Sequence, residues 1–304
     1  MTHPNVPVAT AEPPQSSNTL LGIGLMALGF LFFSLTDATA KYLTEDFSAF
    51  QIAWFRQFGL LSVALWFLAR RGLPVLRTRR PVLQVLRGSA AAMSATGFIF
   101  AVSYVPLTDA VAVSFVAPFA VTILAALVLR ETVGIRRWTA VTIGFIGTLI
   151  VIRPGLGLFH PAIFVVLGAA SLFAARQIMS RLLGPVDQTV TTIIYTAISS
   201  VALLTIPMLF IWQTPTSFQQ VFLIILLACT AGTGEVLIIR ALELAEAATL
   251  APLQYTMIIW STGLSWLIFS QPPDGWTLLG AAIIMASGIY TLHRERLKAR
   301  QRKP

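Results

Sequence analysis

LLGIGLMALGFLFFSLTDATAKY, residues 20–42, has two charged residues in twenty-three, Asp37 and Lys41, both close to its end. An apolar run of this length fits a bilayer-crossing helix, which needs about 20 residues at about 1.5 Å each. A second such run, PAIFVVLGAASLFAARQIMSRL at 161–182, stands 139 positions further on, with Gly168 falling on Gly29 and Arg176 on Asp37. The same shift carries Tyr104 onto Glu243 and the apolar run ending at Leu129 onto the one ending at Ile268. A duplicated set of spanning helices is a common plan of secondary transporters, which place their site between the repeats near the bilayer midplane.

The rest of the chain agrees. It is 56% hydrophobic and 11% charged, with a mean hydropathy of +0.80, so lipid is its main solvent. Charges gather in short stretches between long apolar runs, the pattern of a helical bundle rather than of a barrel with alternating strands. Hydropathy places ten spans at 20–42, 48–69, 82–104, 108–129 and 138–152, then 161–182, 189–212, 218–239, 247–269 and 276–292. Residues 1–19 read as a polar, Pro-rich disordered tail, 20–154 and 155–293 as two five-helix repeats, and 294–304 as a basic tail.

With both termini in the cytoplasm, the inner side carries Arg70, Arg71, Arg77, Arg79, Arg80, Arg87, Arg130, Arg136, Arg137, Arg181, Arg240 and the basic tail. The outer side holds little beyond Lys41, Glu45, Asp46, Asp109, Arg153 and Asp274. This follows the positive-inside rule and predicts a multi-pass protein of the cytoplasmic (inner) membrane. Five helices per repeat is an odd number, so the second repeat enters the bilayer inverted. Small residues, such as Gly88 to Ala92, Gly144 with Gly147, and Gly280 to Ala282, are expected at helix contacts. The single cysteine, Cys229, reads as a small buried core residue.

Ionisable groups at bilayer depth need a partner, water or a function. Asp37, Arg56, Arg176 and Glu235 are the four read in that position. Asp37 lies roughly 9 Å to one side of its span centre and Arg176 roughly 8 Å to the other, as inversion requires. Lys41, at i+4, is an alternative partner for Asp37, and Arg240 or Arg176 for Glu235; Arg56 has helix-end carbonyls or the outer surface as its alternatives. Glu235 maps onto Thr96 and follows Gly232 and Gly234, which weaken the helix and admit a close approach. Pro252 and its approximate counterpart Pro118 mark helix breaks lining a cavity, with Gln254, Tyr255 and Trp260 beyond the first of them. His3, His160 and His293 lie in tails or at span ends, so a histidine metal site at depth is not expected, nor is any cofactor.

Taken in order, YVPLTDAVAVSFVAP at 104–118, Arg130-Glu131, Trp138 and GFIGTLIVIRP at 144–154 make one set of motifs. Arg240-Ala241-Leu242, PLQYTMIIW at 252–260 and WTLLGAAIIMASGIY at 276–290 make the second. Over about residues 20–296 the chain resembles the drug/metabolite transporter superfamily in its ten-helix EamA-type branch. The resemblance implies a cavity between two five-helix halves, alternating access, and a metabolite or drug as cargo. One departure is visible: Glu131 ends the fourth span, whereas its counterpart is Ser270. Asp37, Arg176, Arg56 and Glu235 offer complements to the ammonium and carboxylate of an amino acid, and Phe98, Phe115, Tyr255 and Trp260 suit an apolar or aromatic side chain. An exporter of neutral or aromatic amino acids is therefore expected, with protons as a candidate coupling ion. A drug or other metabolite carrier is the alternative within the family. A non-transporting scaffold or receptor is the alternative from another class, and no nucleophile–base constellation favours an enzyme.

Overall fold

A computed structural model describes residues 16–130, 135–152, 160–184, 186–245 and 250–301, and among these every regular element is helical. The helices are α1 (Ser16–Leu43), α2 (Ala49–Arg71), α3 (Pro81–Val102), α4 (Leu107–Ser114), α5 (Ala117–Val128) and α6 (Ile135–Ile152), then α7 (Ala162–Leu183), α8 (Thr189–Ile211), α9 (Phe218–Leu244), α10 (Thr256–Phe269) and α11 (Gly275–Gln301). Seven stretches are long and apolar enough to cross a bilayer, with α4 and α5 together counting as one of them. Helices α6 and α10 and the first part of α11 lie at the remaining three expected spans. Helix α11 runs on through the basic segment as far as Gln301, where a separate tail was expected, and α1 starts ahead of residue 20. Glu131 and residues 1–15 lie outside the described residues.

Helix contacts repeat across the two halves. Helix α1 packs along α9, and α3 along α7; the 139-residue shift exchanges these two pairs. It likewise exchanges α2–α9 with α3–α8, and α1–α10 with α5–α7, while α2–α8 and α6–α11 map onto themselves. Each of these pairs joins one half to the other, so the core lies at the seam between repeats. The linker after α7 sits beside the linker after α2, joined by a 2.5 Å hydrogen bond from Thr78 to Asp187. In a parallel repeat it would instead lie beside the linker after α1, whose end of the bundle is marked by Gln51 bonding to Gln213. The second repeat is therefore inverted.

Small residues let the seam close. A Cβ on Gly59 would lie 2.1 Å from the Ala228 carbonyl oxygen, and one on Gly147 would lie 3.0 Å from the Gly280 oxygen. Gly88 fits against Ser199, whose neighbour Ser200 donates to the Gly88 carbonyl at 3.0 Å. Gly232 and Gly234 belong to this set. Helix α9 is continuous through both, and they face Gly59 on α2 and Gly29 with Phe33 on α1. The helix expected to be weakened there is unbroken, and what approaches the α9 backbone is two neighbouring helices. Cys229 is corrected, because it is exposed on α9 rather than buried.

The two ends of the bundle are fastened in related ways. At one end Gln51 donates to the Gln213 carbonyl at 2.6 Å and accepts its N–H at 3.0 Å, tying the start of α2 to the chain after α8. At the other, Thr191 near the start of α8 donates to the Val75 carbonyl at 2.7 Å, just after α2. Asp187 adds to the second fastening by accepting from Thr78, Gln84 and the Arg79 N–H. Burial raises the Asp187 carboxyl, but these hydrogen bonds and the charge of Arg80 outweigh it and hold it below the usual carboxylate range. A depressed carboxylate contributes stability above its unfolded pKa and loses it as pH falls through the folded one. The melting temperature of the purified protein should accordingly drop more between pH 5 and pH 3 than that of Asp187→Asn; equal profiles would show that Asp187 does not fasten this end.

Candidate functional site

The four ionisable groups expected at depth, with one that was not expected, lie along the seam. Arg56 on α2 is paired with Asp37 on α1 at 3.3 Å, with Asp37 buried. Lys41 does not take Asp37; it donates to the Val105 carbonyl at 2.7 Å and lies 5.2 Å over the Phe269 ring. Next to Asp37, Thr36 donates to the Thr230 hydroxyl on α9 at 2.9 Å, so this part of α1 is tied to both repeats.

Arg176 on α7 lies 4.6 Å over the Phe173 ring of its own helix, and its Nε is fully covered without a hydrogen-bond partner among the described residues. Glu235 on α9 lies within electrostatic reach of Arg176 and of Arg87. Arg240 takes Glu243 instead, at 2.9 Å near the end of α9. Arg87 is a correction. It was counted among the arginines of the basic side, yet it sits within α3, donating through Nε to Ser180 on α7 at 2.7 Å and through Nη1 to Thr196 on α8. Six residues of helix after Pro81 carry it roughly 9 Å inward. A rule that counts arginines near span ends has no way to tell this residue from one in the linker.

Arg56 also acts on Arg176, which makes one linked group of Asp37, Arg56, Arg87, Arg176 and Glu235. Three guanidinium groups against two carboxylates leave one positive charge. Repeat one supplies Asp37, Arg56 and Arg87; repeat two supplies Arg176 and Glu235. Thr96 is buried, with its hydroxyl given to the Ala92 carbonyl of its own helix at 2.9 Å.

The two proline breaks are present. The fourth span divides between α4 and α5, with Pro118 at the start of α5. Pro252 begins a 3₁₀ turn, Ala251–Tyr255, that leads into α10. The breaks meet: Phe115 stacks on Tyr255 with ring centroids 5.1 Å apart at 27°. Gly288 on α11 admits this ring, since a Cβ there would lie 1.6 Å from the Tyr255 hydroxyl oxygen. Phe98 packs against the same cluster. Trp260 on α10 has its indole N–H buried without a partner among the described residues.

Both halves of the chain, residues 20–153 and 160–292, match the EamA-like transporter family. The S-adenosylmethionine uptake transporter of Rickettsia felis is 31% identical over 93% of this chain and 96% of its own length. The riboflavin transporter of Vibrio cholerae is 27% identical over 93% and 97%. The pseudopaline exporter of Pseudomonas aeruginosa is 26% identical over 88% and 94%. A crystal structure of a protein 17% identical superposes with a TM-score of 0.64 over 93% of this chain and 99% of that one, a likeness of fold. The chain belongs to the EamA-like transporter family and is a multi-pass membrane transporter of a small molecule.

Removing one partner of a covered ion pair strands the other charge. Asp37→Asn should lower unfolding stability by roughly 3 kcal/mol, and Asp37→Asn with Arg56→Gln should recover part of that loss. Thermal unfolding of the four proteins of this cycle measures it, and strictly additive effects would show that the two side chains are not coupled.

Proposed function

We propose that this EamA-family chain is a secondary transporter of a metabolite bearing an α-amino-carboxylate head and an aromatic body, with S-adenosylmethionine the first candidate. The observation that carries the reading is the linked charged group drawn from both repeats, which holds cations and anions together at depth. An ammonium and a carboxylate on one ligand can both be answered there. The Rickettsia felis relative is an uptake transporter for a molecule of this kind, and it is more similar than the riboflavin and pseudopaline carriers. Plain amino-acid export, the narrower expectation, has no counterpart among these relatives. S-adenosylmethionine keeps the amino-acid head and adds an adenine ring, for which Phe115, Tyr255 and Trp260 supply aromatic faces.

In this reading Asp37, Arg56, Thr96, Arg176 and Glu235 surround the head group, and Gln254, Tyr255 and Trp260 the body. Pro118 and Pro252 supply the broken backbone that lets spans four and nine bend as access alternates. Gly232 and Gly234 act as close-packed contacts about which α9 shifts against α1 and α2. The end carrying Arg70, Arg71, Arg77, Arg79, Arg80 and Arg181 faces the cytoplasm, which puts both termini there.

Liposomes holding the purified protein test the cargo. Labelled S-adenosylmethionine should enter with saturable kinetics, and unlabelled S-adenosylhomocysteine should block it. Riboflavin and free phenylalanine should compete at least tenfold less well. Uptake of phenylalanine or riboflavin without any uptake of S-adenosylmethionine would overturn the reading.

A further inference from the structure

The charged group divides into two unlike parts. Asp37 and Arg56 are satisfied by each other. Arg87, Arg176 and Glu235 are two cations and one anion, and no ion pair joins them directly among the described residues. Arg87 reaches Ser180, one helical turn along α7 from Arg176, so two guanidinium groups are held near each other. Among the described residues Arg87 gives two of its five N–H donors, to Ser180 and Thr196, and the Arg176 Nε has no partner. Adjacent like charges with free donors in a covered site carry a penalty that an incoming anion removes.

We infer that Arg87 and Arg176 form the carboxylate subsite of the cargo path, with Glu235 placed to receive the ammonium of the same ligand. The inference rests on the reading of an amino-carboxylate cargo. Two cations beside one anion leave a place for one more negative group, which the ligand carboxylate fills while its ammonium faces Glu235. Geometry agrees, because planar guanidinium groups pair with carboxylates through two parallel hydrogen bonds. Ser180 and Thr196 hold the Arg87 fork in place. The Phe173 ring fixes Arg176 by its face and leaves the guanidinium edge for the ligand. The subsite is also built across the seam, with Arg87 from repeat one and Arg176 from repeat two. Rocking one repeat against the other therefore changes the spacing of the two cations, so binding and access are linked at this point.

Ligand pairs that differ by the head group separate this subsite from the rest of the path. S-adenosylhomocysteine and 5′-methylthioadenosine share a thioadenosine, and only the first has the amino-carboxylate; l-methionine and l-methioninol differ in the carboxylate alone. Binding of all four is measured on the full chain in lipid nanodiscs, for the wild type, Arg176→Gln, Arg176→Lys and Glu235→Gln, each checked for a native size-exclusion profile. The wild type should bind S-adenosylhomocysteine at least tenfold more tightly than methylthioadenosine. Arg176→Gln should erase that difference by weakening S-adenosylhomocysteine alone, and Arg176→Lys should keep part of it. Glu235→Gln should weaken both amino-acid heads and methioninol, which keeps the ammonium. Silence of both thioadenosines while methionine is still preferred to methioninol, and loses that preference in Arg176→Gln, would retain the subsite and remove the S-adenosylmethionine reading. Equal weakening within each pair by Arg176→Gln, or no preference for a carboxylate in either pair, would overturn the subsite.

Discussion

A guanidinium at bilayer depth has to find its counter-charge within the protein, and in this chain it finds it on another helix. The cost of leaving such a group unpaired is several kcal/mol. Arg56 meets it with Asp37 of α1, while Arg87 leans on hydroxyls of α7 and α8. Arg176 has the electrostatic attraction of Glu235 and the face of Phe173. Apart from the Phe173 contact these links run from helix to helix, and those of Arg87 cross between repeats. The charged group therefore sits at the seam, and the seam has to be tight enough to exclude lipid around it.

Tightness comes from residues without bulk. Gly59 against Ala228, Gly29 against Gly234 and Gly147 against Gly280 bring backbones closer than any side chain would allow. In lipid there is little hydrophobic drive to press helices together, so this approach is the source of packing energy. The same smooth contacts suit small sliding and rocking of one helix on another, whereas the hydrogen-bonded fastenings at Gln51–Gln213 and Thr191–Val75 resist opening of the two ends. A transporter needs both kinds of contact, and here they are spatially separate.

Much of the fold was legible in the residues. Apolar runs and their 139-residue spacing gave the ten spans, and the odd number per repeat gave the inversion that the paired linkers display. Pro118 and Pro252 marked real breaks because proline removes a donor and clashes with the preceding turn. Pairing was not legible. Spacing along one helix offered Lys41 for Asp37, but Arg56 on the next helix took it, and periodicity carries no information about which helices meet. Arg87 was missed because a basic residue two turns inside a span looks like its neighbours in the linker. Its signal was the small polar stretch that follows it, Gly88 with Ser89, which opens room for α8. For Gly232 and Gly234 helix weakness and close approach predict the same letters, and only the neighbouring helices decide between them.

In the proposed function cargo binds at the seam, on charged groups supplied by both repeats. The most direct measurement is a cryo-electron microscopy structure of the protein in a lipid nanodisc saturated with S-adenosylhomocysteine. Ligand density is expected between α3, α7 and α9, bounded by Arg87, Arg176 and Glu235. Density confined to one repeat, or to the surface groove between α6 and α11 lined by Ile143, Ile283 and Tyr290, would contradict it.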